Sequence, residues 1–182
     1  MRRLIYPEKK LRGVPRRLRA MKRWSEGLAG HFPSDEEIDP ASRYWNFKIP
    51  VDLNLVEGRG TNRDIQRACA QNLVNACGHL LAAKPAAARD IRVTCVVCLP
   101  DMFTSELCIY LQEEYFLSHT SPAKNEHGET TMLTGRSLSQ EWALDLPPGV
   151  AELGTAVEYH SEEDDWHLSG ERWYFGEVLP RV

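Results

Sequence analysis

A chain of 182 residues, 42% hydrophobic and 26% charged, falls in the single-domain range and can bury roughly 70% of its unfolded surface, which excludes a disordered chain and a disulfide-stapled miniprotein. No run approaches the ~18 apolar residues of a membrane span, and no charged-then-apolar leader opens the sequence, so a cytoplasmic chain without a membrane is expected. The net charge of −4 divides sharply: residues 1–24 hold ten Lys/Arg against Glu8, a balance of +9, and residues 25–182 hold twelve Lys/Arg against 25 Asp/Glu, a balance of −13.

The basic segment Arg16-Arg17-Leu18-Arg19-Ala20-Met21-Lys22-Arg23-Trp24 follows Pro15 and spaces Leu18, Met21 and Trp24 three apart, which predicts a short helix with a narrow apolar stripe. Its charge suits docking on the acidic body or contact with an acidic partner. Asp35 to Pro40 reads as an acidic loop, so residues 1–40 precede a body over 44–182 within a single domain, 1–182. From Tyr44 to Val51, Trp45, Phe47, Ile49 and Val51 alternate with polar positions, as in a half-buried strand that Pro50 places at an edge or ends.

Thr61 with Asp64 three residues on predicts a helix start. Ile65, Ala68, Cys69, Leu73, Ala76 and Leu80 then recur at helical spacing until Lys84-Pro85, about six turns on. Ile91 to Leu99 reads as a strand covered on both faces, and Glu106 to Phe116 as its hairpin return. His119 to Gly135, too long for a tight turn, is expected as a polar loop that is mobile or faces a partner.

Ser137, with Gln140 at the capping-box position, predicts a short helix carrying Leu138, Trp142 and Leu146 on one face. Thr155–Tyr159 and Arg172–Val178 are expected as two further strands separated by the acidic stretch 161–165. The fold class is therefore α+β: a mainly antiparallel sheet with one long helix packed on it, a short basic N-terminal helix, and a short helix in the C-terminal half. In Trp173-Tyr174-Phe175 successive rings face opposite sides of a strand, so one ring is available to anchor an interface.

No P-loop, dinucleotide fingerprint or nucleophile elbow occurs, and neither a catalytic centre nor a cofactor is expected. The C-x-x-C of Cys95 and Cys98 lies on a strand, where residues three apart face opposite sides, so two core thiols are expected rather than a redox or zinc motif. No disulfide is expected among Cys69, Cys77, Cys95, Cys98 and Cys108. His160 and His167 flank the carboxylates of 162–165, which leaves open a metal-dependent enzyme with His119 as a further ligand. A basic-arm nucleic-acid binder is a third reading, opposed by a body that repels phosphates.

The series Lys22-Arg23-Trp24, Tyr44 to Asp52, Asp64-Ile65-Gln66-Arg67, Arg92-Val93-Thr94, Leu99 to Phe103, Ser105 to Cys108, Glu113 to Phe116, Arg136-Ser137-Leu138 and Glu171-Arg172-Trp173 resembles a bacterial family known only as a domain of unknown function. Through small acidic proteins of that kind, the resemblance implies an immunity protein that neutralises a cognate toxin, namely a nuclease effector of type VI secretion. An acidic surface can block a nuclease by standing where its substrate's phosphates would lie. The contacts expected on that reading are Glu113, Glu114, Glu162, Glu163, Asp164 and Asp165, with the toxin as partner and no nucleic acid bound.

Overall fold

The computed structural model describes residues 13–34, 44–50, 63–86, 91–100, 105–111, 130–133, 135–162 and 165–178. Among these residues, three helices, α1 (Val14–Gly27), α2 (Arg63–Ala82) and α3 (Leu138–Trp142), accompany six strands: β1 (Tyr44–Lys48), β2 (Thr94–Pro100), β3 (Glu106–Tyr110), β4 (Thr130–Leu133), β5 (Val150–Glu162) and β6 (Asp165–Glu177). The strands form one sheet in the order β1-β3-β2-β6-β5-β4, antiparallel at every junction. The chain is α+β, as its periodicities predict.

The strand that Pro50 terminates, β1, is an edge, where a residue without an N–H does least harm to the ladder. Phe47 and Ile49 are buried and Trp45 packs beside them, which is the alternation visible in the sequence. Each strand flanking the centre contributes to two clusters. Cys95, Val97 and Leu99 of β2 join Trp173 and Phe175 of β6 in the main core beneath α2. Val96 of β2 joins Cys108, Tyr110, Ala156 and Tyr174 in a second cluster on the opposite face.

The main core takes Cys69, Leu73, Ala76, Cys77 and Leu80 from α2 and Met21 from α1. Met21 is wholly buried, with Leu18 and Trp24 half-buried beside it. The hydrogen bond from His79 Nδ1 to the Ser25 carbonyl, 2.7 Å, ties the two helices near their C-terminal ends. The basic helix is thus a layer over α2 rather than an arm projecting from the body.

Several expectations differ from the structure. Residues 130–133, expected within a loop, form the edge strand β4 on β5; a four-residue ladder needs no apolar alternation when its partner strand supplies the hydrogen bonds. The face expected to run to Leu146 stops at Trp142, because Ala143 adopts a left-handed conformation with φ 48°, which ends an α-helix. Leu146 is left exposed. Trp173, Tyr174 and Phe175 are all buried: Tyr174 does face away from α2, but the second cluster covers it, so none of the three rings is an outer anchor.

Candidate functional site

The chemistry-bearing residues fall into three groups, set by the long β5–β6 hairpin and by the two faces of the sheet. The hairpin is the element that departs most from the two short strands expected. β5 and β6 run 13 residues each, and their ladder continues to the pair Glu162–Asp165. Their neighbours stop earlier: β2 accompanies β6 only from Gly170 to Gly176, and β4 accompanies β5 only from Ala156 to Tyr159. Among the described residues, 160–162 and 165–168 therefore form a two-stranded ribbon beyond the sheet.

A bulge lies where the ribbon leaves. Glu158 pairs with Gly170 and Tyr159 with Leu168, so Ser169 is the extra residue, and such an insertion bends and overtwists its strand. The sequence-predicted contacts Glu162 and Asp165 are Cα partners at the end of this ribbon, and His160 is the Cα partner of His167. Glu163 and Asp164 fall between the paired residues and lie outside the described residues, as do Glu113, Glu114 and His119. In the sequence, Glu162 to Asp165 are four successive acidic residues, and a run of negative charge draws cationic surfaces and repels phosphates.

The second group is a polar network on the α2 side of the sheet. Arg136 donates to Glu141 Oε2 from Nη2 at 2.7 Å and to Glu171 Oε1 from Nη1 at 2.9 Å. Glu171, buried, also accepts from the Trp173 indole N–H at 2.9 Å. Burial works against the Arg136 charge, but the hydrogen bond to Glu141 and the charges of Glu171 and Glu141 outweigh it and hold its pKa above the ordinary value. Every charge here has a partner, and the network closes the gap between α3 and the sheet. Among the described residues no three His, Cys, Asp or Glu side chains gather as a metal site would require.

The third group was not legible in the sequence. All five cysteines are thiols outside any disulfide, and the C-x-x-C residues do separate to opposite faces. Cys95 lies in the main core and hydrogen-bonds Cys77, whose thiol is pushed well above its ordinary pKa by burial first and by that bond second. Cys98 instead meets Cys108, Sγ to Sγ 3.9 Å, with Arg172 Nη1 donating to Cys98 Sγ at 2.6 Å. Beside them Asn46 Nδ2 donates to Glu106 Oε2 at 2.9 Å. Only strand register brings these residues together, and register is not readable from spacing.

Of the basic helix, Arg16, Arg19, Lys22 and Arg23 face solvent, and Lys22 forms a surface ion pair with Glu26 at 3.7 Å. No helix among the described residues is long and apolar enough to cross a membrane.

Among the described residues, the covering helices and a six-stranded antiparallel sheet make an α+β fold in which the β5–β6 hairpin extends past its neighbours. The chain belongs to the family described as a protein of unknown function, DUF3916, whose model matches residues 22–177. No curated protein and no solved structure matches it.

Proposed function

We propose that this protein is an immunity protein: a cytoplasmic inhibitor that binds a toxin, a nuclease effector of type VI secretion, and occludes its cationic substrate groove with the acidic end of the β5–β6 hairpin. The observation that carries the reading is the ribbon itself. Its strands outrun β2 and β4 and end at the Glu162–Asp165 pair, a shape and charge suited to entering a groove made for phosphates. No catalytic step is required of an inhibitor, and the paired charges around Arg136 serve packing.

The test is recovery of the partner and its toxicity. Tagged protein is used to capture partners from its source bacterium, and each is expressed alone and together with this chain. A captured nuclease that arrests growth alone and is silenced by co-expression supports the reading. A captured protein without toxicity, or a toxin that co-expression leaves active, overturns it.

One observation favours a second reading, a metal-dependent enzyme: His160 and His167 are direct cross-strand partners, one pair removed from Glu162 and Asp165 by the Ser161–Trp166 pair. Stoichiometric zinc retained through purification and lost in His160→Ala would favour it, because two imidazoles and a carboxylate form an open catalytic zinc set.

A further inference from the structure

Cys98 and Cys108 sit diagonally on neighbouring strands, since Cys98 pairs with Glu106 and Val96 with Cys108. Their sulfurs are in contact at 3.9 Å. Arg172, the β6 partner of Cys98, places its guanidinium on the Cys98 sulfur, and a cation in that position favours thiolate. Cys98 is half-buried, whereas Cys108, Cys69, Cys77 and Cys95 are buried.

Cys108 is held well above its ordinary pKa, first by its hydrogen bond with Cys98, then by burial and by the charges of Cys98 and Glu106, with Arg172 acting the other way. Burial pushes the Cys69 thiol up to about 11, against the opposing charge of Arg17. The least buried of the five cysteines is thus the one beside a guanidinium and a second thiol, whereas those of the main core are buried.

We propose that Cys98 and Cys108 form a hydroperoxide-reactive dithiol site. The Cys98 thiolate attacks the distal oxygen of a hydroperoxide, the O–O bond breaks, and the alkoxide leaves with a proton as alcohol or, from hydrogen peroxide, as water. Cys98 is then a sulfenic acid. The Cys108 thiol attacks the Cys98 sulfur, its proton leaves with the hydroxyl as water, and a disulfide forms. Two thiols lose two electrons, and the peroxide takes them. The sulfurs must approach by about 1.9 Å to reach the ~2.05 Å of a disulfide. Their diagonal placement makes the product a strained bond that a dithiol reductant reopens.

Hydrogen peroxide is the probe, applied to the folded full chain. In the wild-type protein the intact mass should fall by two hydrogens, and a non-reduced peptide map should join Cys98 to Cys108. In Cys108→Ser the sulfenic acid should persist and be trapped by dimedone at Cys98. Arg172→Gln, checked for a native circular dichroism spectrum, should slow the reaction several-fold. Oxidation spread evenly over the five cysteines, linkage of any other pair, or oxidation seen only in denaturant would overturn the proposal, and the wild-type map alone decides it if a variant fails to fold.

Discussion

Glu152 on β5 accepts the backbone N–H of Leu138, the first residue of α3. The same carboxylate accepts from the Ser137 hydroxyl at 2.9 Å, from the Ser139 amide at 3.2 Å and from the Ser139 hydroxyl. A strand residue thus caps a five-residue helix that could not persist alone. At its other end Arg67 donates from Nε and Nη2 to the Ala143 carbonyl, at 3.1 and 2.7 Å, and Gln71 exchanges hydrogen bonds with the Asp145 backbone. Helix α3 is therefore held between sheet and α2, and it carries Leu138 into the core.

Glu152→Ala leaves several donors at that end without an acceptor and should cost about 2–3 kcal/mol. Glu152→Gln keeps an acceptor oxygen and should cost less. Urea unfolding of both variants checks the order; equal stability of Glu152→Ala and wild type would contradict it.

Gly78→Ala sets two effects against each other. Alanine gains up to about 1 kcal/mol of helix propensity, but its Cβ would lie 2.7 and 2.8 Å from Cβ and Cγ of Pro147, a ring that cannot rotate away. Overpacking of that kind costs about 1–3 kcal/mol, so a net loss of stability is expected. A raised thermal midpoint would show that the Pro147 segment yields.

Docking of the basic helix rests on Met21, which is wholly buried. Met21→Ala should cost about 2–5 kcal/mol, whereas Lys22→Ala, at an exposed position, should stay within about 0.5 kcal/mol of wild type. If both variants unfold like wild type in urea, α1 contributes nothing to the body.

Alkaline pH should destabilise the fold. The Cys69, Cys77 and Cys108 thiols are all raised in the folded state, so the native chain holds protons that the unfolded chain releases above about 9. Their stabilisation is complete below that pH and is lost as pH rises through the folded values. Cys69 alone, at about 11 against 9.0, accounts for roughly 2 kcal/mol lost by pH 11. The urea midpoint should fall from pH 9 upward, and less steeply in Cys69→Ala.

The elements written in local periodicity were legible: α1 from Leu18, Met21 and Trp24, α2 from its apolar recurrence, and β1 from Trp45, Phe47 and Ile49. What the sequence hid was set by pairing. β5 and β6 continue through polar residues up to Glu162 and Asp165 because ladder hydrogen bonds are backbone to backbone and indifferent to side-chain polarity. The Cys98–Cys108–Arg172 group depends on the register of three strands, two of them more than sixty residues apart in sequence. The end of α3 turned on a single left-handed residue, Ala143, a type with no turn preference to announce it.

If the acidic hairpin grips the toxin, the recovered partner should bind wild type far more tightly than the variant carrying Glu162→Lys, Glu163→Lys, Asp164→Lys and Asp165→Lys, measured by calorimetry on folded protein. A loss of a hundredfold or more, about 2.7 kcal/mol, with toxin inhibition lost in parallel, is the expected result. Unchanged affinity and full inhibition by the charge-reversed hairpin would show that the hairpin does not hold the toxin.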